Sequence, residues 1–416
     1  MQLHIPPALY HRKFLLLWAG LLVSIAGSQM QIWTLFWHIR ELTDQPIALG
    51  GIGAARILPI IIFSLIGGAL ADAANRRRVM FITQSAMALL ALVLGWLTLQ
   101  GITQLWHIYL LTALQAVAIS FDLPARQALV PNLVPVRDLP NAFSMTSIAF
   151  QTGSIVGPAL SGLVIARMGL QAVYFINAAS YLAVLLALIG MGSVPQQVAQ
   201  GGLRSINLES IKEGVRFILG RPIILSTMLL DFVATFFASA NTLMPIIARD
   251  ILKVGALEYG WLSAAQSIGA FNAALAISQT KEIRRQGPIF LASVVAFGLA
   301  TVAFGFARNL YLAILALILV GASDSVSTIL RNTIRQLQTP DHIRGRMTSV
   351  NQIFFQGGPQ LGEIEAGLVA QLFGAPFAVI SGGIACILAV GLIVRRWPEL
   401  RSYNGDEPAP AASPAS

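Results

Sequence analysis

Twelve apolar stretches follow one another along this 416-residue chain, and they constrain its fold more than any other feature. Each is close to the ~20 residues that a helix needs to cross the hydrocarbon core of a bilayer. They lie at approximately 13–37, 48–71, 79–99, 105–125, 141–166, 171–190, 222–248, 257–279, 287–307, 309–331, 346–372 and 376–396. Hydrophobic residues make up 56% of the chain and charged residues 11%, against roughly 25% charged in soluble domains. Such a chain is expected to be an all-α polytopic membrane protein with twelve transmembrane helices.

The stretch 191–221 differs from its flanks. It holds Arg204, Glu209, Lys212, Glu213, Arg216 and Arg221, and it divides the spans six and six. The reading is therefore residues 1–190 as a first six-helix half, 191–221 as a cytoplasmic linker with an amphipathic helix around 208–219, and 222–397 as a second half. Residues 398–416, rich in Pro, Ala and Ser, are expected to be a disordered tail. With the N-terminus inside, 21 of the 27 Lys and Arg residues fall on the inner side. That asymmetry places both termini in the cytoplasm and accounts for the formal net charge of +9 without nucleic acid. The first apolar run is too long for a signal peptide and lacks a small-residue cleavage site. The single cysteine, Cys386, excludes an intrachain disulfide.

The two halves repeat one another. Asp122 recurs as Asp324 and Met145-Thr146-Ser147 as Met347-Thr348-Ser349, both at an offset of 202 residues. Gly157-Pro158 and Gly162-Leu163-Val164 recur, with a small drift, as Gly358-Pro359 and Gly367-Leu368-Val369. Duplicated halves are a recognised build for secondary transporters, whose substrate site lies where the repeats meet.

Between spans 2 and 3 runs Gly68-Ala-Leu-Ala-Asp72-Ala-Ala-Asn-Arg76-Arg77-Arg78. Its charges must sit at a membrane surface, since arginine at the bilayer centre is costly. The order of residues resembles the loop between helices 2 and 3 of the major facilitator superfamily, with Asn75 where that family has glycine and Ala73 where it has arginine. In span 5, Gly153, Gly157, Pro158 and Gly162 put small residues on one helix face, which permits close helix contact, and Pro158 bends the helix. This stretch resembles the antiporter motif of drug-exporting facilitators, with Ser161 in place of one glycine. Residues 49–59, 121–131, 138–142 and 344–347 are similar to the branch that contains enterobactin exporters, macrolide efflux proteins and transmembrane secretion effectors. The resemblance covers residues 11–401 and fades at 279–286, the second-half counterpart of the Asp72 loop.

The resemblance implies two pseudo-symmetric six-helix halves of the major facilitator fold. It further implies a monomeric, proton-coupled antiporter in the bacterial inner membrane, exporting an amphipathic organic solute such as a drug or siderophore. The alternatives are a proton symporter for uptake and a transporter-like receptor that moves nothing. No cofactor is expected beyond the proton gradient. The partners are a small-molecule substrate, protons and the lipid bilayer. An enzyme is disfavoured because none of the five histidines pairs with another His or Cys at metal-ligand spacing, and no Gly-x-x-x-x-Gly-Lys phosphate loop exists.

By the same resemblance, Gly68, Asp72, Arg76, Arg77, Asp122 and Arg126 form an inner latch. Asp72 would lie against the start of span 11 near Gly345–Met347, where a helix N-terminus favours an acid, and Arg76 would pair with Asp122. Asp122 and Arg126 share a helix face at i,i+4. Acids within spans are functional candidates by default, and Asp231 is one for the exchanged proton or a cationic group on cargo. The family architecture places helices 2 and 11 side by side, so Arg56 would pair with Glu363 to close the outer side, or with Glu365 while Glu363 binds the proton. Spans 1 and 7 are cavity helices in the family, so Gln29, Trp33, Asp231, Phe236 and Asn241 are candidates to line a cavity by helix phase.

Overall fold

The computed structural model describes residues 6–196, 208–238, 241–280, 283–340 and 343–405. Among them there are helices and turns and no strand. The chain divides into two compact units, residues 1–206 with 254–264, and 207–253 with 265–416.

The first unit holds α1 (Arg12–Leu42), α2 (Pro46–Ala73), α3 (Arg76–Leu99), α4 (Leu105–Leu129), α5 (Leu139–Met168) and α6 (Leu170–Gly190). Local sequence sets their ends. Pro46 opens α2, where a missing N–H costs nothing. The Asn75 side chain accepts the N–H of Arg78 and caps α3, satisfying a donor with no partner inside the helix. Gln104 and His107 cap each other at the start of α4. Gly169 separates α5 from α6 at φ +83°, a conformation that side chains disfavour. α1 packs on α5 and α6, α2 on α4, and α3 on α4 and α6. Phe14, Leu17, Ala125, Leu129, Ala149 and Leu188 form part of the core between them.

The second unit holds α7 (Leu208–Leu219), α8 (Pro222–Phe237), the short α9 (Met244–Ile246), α11 (Gln286–Phe306), α12 (Leu310–Leu337), α13 (Arg344–Phe373), α14 (Ala375–Arg396) and α15 (Glu399–Ser402). α10 (Ala256–Ser278) begins in the first unit and ends in the second. The repeat extends to the turns: Gly374, at φ +89°, joins α13 to α14 as Gly169 joins α5 to α6. α11 packs on α12 and α14, and α8 on α13 and α14. Phe290, Val294, Leu330, Ile334 and Cys386 lie in their shared core.

Nine helices among the described residues are long and apolar enough to cross a membrane. The other three spans read from the sequence are α8, apolar but 16 residues long, and the more polar α10 and α13. Span 7, read as continuous over 222–248, is interrupted. α8 stops at Phe237, and after a turn the chain resumes as α9 and a π-helical turn over Ile247–Ile251. Pro245 suits the restart, because proline is tolerated in the first turn of a helix, where its missing N–H has no intrahelical partner to lose.

Three further points differ from the sequence reading. The apolar pattern ends span 10 at Arg331, but α12 runs on to Leu337, with Arg331 and Arg335 buried. Residues 254–264, expected in the second half, belong to the first unit through buried Tyr259, whose hydroxyl donates to the Trp33 carbonyl at 2.9 Å. The tail is ordered to Gly405: Leu400 and Tyr403 are buried, and the Gly287 N–H donates to the Tyr403 carbonyl at 2.9 Å. The remainder of the expected tail, 406–416, and linker residues 197–207 lie outside the described residues.

Candidate functional site

Each unit places a carboxylate inside its helices. In the first, Asp122 sits on α4 with 1% of its surface exposed. Thr83 Oγ1 and Gln84 Nε2, neighbours on α3, each donate to Asp122 Oδ1 at 2.9 Å. Arg126, one turn further along α4, pairs with Oδ2. Hydrogen bonds to a charged acceptor are the strong kind, and a buried charge persists only when it is paired in this way.

Arg76 does not join this cluster. Its Nη1 donates to Asn132 Oδ1 at 2.8 Å and to the Ala128 carbonyl at 3.3 Å, and its Nε to the Ala71 carbonyl at 3.1 Å. Ala128 lies six residues beyond Asp122, about 9 Å along the helix, so the expected Arg76–Asp122 pair is replaced by a tie between the ends of α2 and α4. Arg77 Nε donates to the Leu188 carbonyl at 2.7 Å, on α6. Gly68 lies in α2 with nothing within 4 Å of where a Cβ would stand. The Asp72, Gly345 and Arg346 side-chain positions lie outside the described residues, whereas Met347 is buried against Ile218, Ile224 and Met228.

The small residues of α5 do what their spacing implies. A Cβ on Gly153 would lie 2.6 Å from Ile25 Cγ2, and one on Gly157 2.6 Å from Gln29 Cβ, both on α1. A Cβ on Gly162 would lie 2.4 Å from the Ala256 carbonyl and 2.7 Å from Gly260 Cα, at the start of α10. Pro158 is buried between these contacts, and its carbonyl accepts the Ser161 hydroxyl at 3.0 Å. Without β-carbons at these three positions the backbones come close enough for dispersion contact.

In the second unit, Asp231 on α8 and Arg331 on α12 form a buried ion pair. Arg331 Nη1 stands 2.7 Å from Asp231 Oδ1, and both side chains are under 5% exposed. The same Nη1 is 3.9 Å from Asp324 Oδ1, and the Asp324 side chain is 49% exposed. Arg335 braces the group: its Nε donates to the Arg331 carbonyl at 3.0 Å and its Nη2 to Asn332 Oδ1 at 2.7 Å, while its Nη1 meets Asn351 of α13. Arg331 and Arg335 are seven and eleven residues after Asp324, within about 20° of it around the helix. The spacing that could have revealed this cluster was therefore present in the sequence.

A neutral network, unforeseen, lies in the first unit. Asn177 Nδ2 donates to Gln31 Oε1 at 2.6 Å, Gln31 Nε2 to Gln115 Oε1 at 2.8 Å, and Gln115 Nε2 to the Tyr181 hydroxyl at 2.9 Å. Buried His38 meets the Tyr174 hydroxyl at 2.9 Å through Nδ1. Of the residues considered for a cavity, Gln29 donates to Ser154 Oγ at 3.3 Å. Trp33 is packed edge-on against Tyr259, Phe236 stacks on Phe232, and Asn241 lies in the turn after α8. Arg56 is half-buried on α2 of the first unit, and Glu363 and Glu365 are half-buried on α13 of the second. Among the described residues, no group of three His, Cys, Asp or Glu side chains is placed to hold a metal ion.

Long apolar helices that carry buried, paired charges and glycine-lined contacts define a polytopic membrane protein. Over residues 6–413 the sequence matches the transmembrane secretion effector family, and the chain belongs to that family, within the major facilitator superfamily of transporters. It is 27% identical over 394 residues to the enterobactin exporter EntS of Shigella boydii serotype 4, covering 95% of this chain and 92% of the relative. It is 27% identical over 403 residues to the multidrug efflux pump Tap of Mycolicibacterium fortuitum, covering 94% and 96%. Its fold is similar to that of a bacterial homologue of the human lysosomal transporter Spinster, solved in an inward-facing, unoccupied conformation, with TM-score 0.72, 14% identity and coverage of 96% and 97%. The family is one of transporters, not enzymes, and its members handle small molecules within the membrane.

Proposed function

We propose that this chain exports an amphipathic organic molecule, a drug or a siderophore, across the bacterial inner membrane in exchange for protons. The observation that carries this reading is similarity over nearly the whole length to proteins named for enterobactin export and multidrug efflux. The glycine and proline contacts of α5, which hold α1 and the start of α10 at backbone distance, support the antiporter comparison. The protein acts as a monomer with both termini in the cytoplasm and no cofactor beyond the proton gradient. Gly68, Asp72, Arg76, Arg77, Asp122 and Arg126 serve as the inner latch, in which Arg76 ties helix ends and Arg126 holds Asp122. Arg56 with Glu363 or Glu365 serves as the outer pair. Asp231 serves as the buried partner of Arg331.

Export is tested by deleting the gene in its host and measuring retention of a panel of antibiotics and catecholate siderophores. Raised intracellular levels of at least one compound, reversed by the plasmid-borne gene, are expected. Lowered levels would indicate uptake instead, and unchanged levels of every compound would remove the proposed cargo class.

A further inference from the structure

We infer that Asp324 is the acid through which the second unit takes up a proton, with Arg331, shared between Asp324 and Asp231, as the group that responds to it. This assignment rests on the proton-coupled reading above and names the residue that reading left open.

Arg331 is 2.7 Å from Asp231 and 3.9 Å from Asp324, through the same nitrogen. Asp231 is sealed among helices, whereas half of the Asp324 side chain is exposed. A proton carrier must exchange with water, and its charge must be felt by a group able to shift. Asp324 meets the first condition better than Asp231 does, its side chain being 49% exposed against 4%, and the second by its distance from Arg331, which already has a tighter partner to fall back on. With Asp324 ionised, the guanidinium is drawn by two carboxylates on two helices. With Asp324 protonated, Asp231 remains as the carboxylate that holds it, so the α8–α12 contact changes with one proton. Coulomb attraction at these separations is strong away from bulk water, and a buried charge that loses its partner is costly. Retention of Asp231 therefore keeps Arg331 paired throughout.

The other charges near Asp324 do not alter this picture. On α12 itself they are Arg331 and Arg335, and the guanidinium of Arg335 is engaged with Asn332, Asn351 and a backbone carbonyl. α8 contributes Asp231, and α11 and residues 265–278 of α10 contribute none. α13 reaches the group through Asn351, with Glu363 and Glu365 about 18 Å or more further along that helix.

The internal repeat supplies a comparison. Asp122, the counterpart of Asp324 in the first unit, is 1% exposed, receives Thr83 and Gln84, pairs with Arg126, and has no second acid in its described contacts. The first copy of the repeated position is sealed and held by three side chains. The second is more exposed and shares its cation with another acid.

The test needs no cargo. Full-length wild type, Asp324→Asn, Asp324→Glu and Asp231→Asn are reconstituted in liposomes, and infrared difference spectra are recorded between acidic and alkaline buffer. The carbonyl stretch of a protonated carboxyl is expected to appear in wild type, to lose a component in Asp324→Asn, to shift in Asp324→Glu, and to persist in Asp231→Asn. An unchanged band in Asp324→Asn, or its loss in Asp231→Asn, overturns the assignment. Should Asp324→Asn fail to fold, an unshifted band in Asp324→Glu does so equally. Enterobactin transport by wild type under an imposed pH gradient is measured in parallel. Band loss in Asp324→Asn with gradient-indifferent wild-type transport would keep the proton on Asp324 and remove antiport. Gradient-driven transport with the band intact in Asp324→Asn would keep antiport and remove Asp324.

Discussion

Removing the cation from the buried pair should be far more damaging than removing a surface charge, and by an amount that the geometry bounds. Arg331→Met deletes the guanidinium that stands 2.7 Å from Asp231 and 3.9 Å from Asp324. It leaves Asp231, 3% exposed, without that partner. Breaking a buried pair from one side costs about 3–5 kcal/mol, which is between about a hundredfold and several thousandfold in the folded-to-unfolded ratio at 1.36 kcal/mol per tenfold. Asp231→Asn should cost less, about 1–3 kcal/mol, because Arg331 retains Asp324. In the double variant neither member of the tight pair remains, so the two losses should fall short of additivity by at least about 1.5 kcal/mol, within the range seen for coupled neighbours. Unfolding in mixed micelles with increasing denaturing detergent, followed by tryptophan fluorescence, reads all four proteins. Single losses under about 1 kcal/mol, as for exposed pairs, or additivity within about 0.5 kcal/mol, would refute the reasoning.

Other consequences can be checked with the same preparations. Gly162→Val places a Cβ 2.4 Å from the Ala256 carbonyl and should cost about 1–3 kcal/mol by overpacking. Gly68→Ala meets nothing within 4 Å and should leave thermal unfolding in detergent unchanged or slightly raised. Tyr403→Ala removes a fully buried ring and its hydroxyl contact with Gln338 at 3.2 Å, and should destabilise by about 3–5 kcal/mol, as for other buried aromatics. For the outer pair, Arg56→Glu and Glu363→Arg should each impair transport and together recover part of it. Failure of rescue with both Glu363 and Glu365 would remove that pair.

Much of the fold was legible because lipid makes hydropathy a strong signal. Local ends followed from Pro46, Asn75 and Gly169, whose roles depend on immediate neighbours. The break after Phe237 was less visible, since the apolar run continues through it and only Asn241 and Pro245 mark the turn. The ion group was missed for a definite reason. Arg331 ends the apolar run of span 10 and Arg335 falls beyond it, so both read as inner-side charges, whereas Asp231, a hundred residues earlier, gives Arg331 a partner inside the second unit. Distance along the chain hid the pair, although the seven-residue spacing from Asp324 to Arg331 kept one face of α12 charged. The expected Arg76–Asp122 contact failed on depth: six residues of helix separate Asp122 from the carbonyl that Arg76 meets.

The central claim, proton-driven export, is tested most directly by purified protein reconstituted into liposomes with enterobactin and a panel of drugs. An imposed pH gradient, acidic on the side to which cargo is delivered, should drive accumulation of at least one compound, and collapse of the gradient by an ionophore should abolish it. Accumulation that is unchanged when the gradient is collapsed, or absent for every compound in a preparation that still folds, would contradict the account.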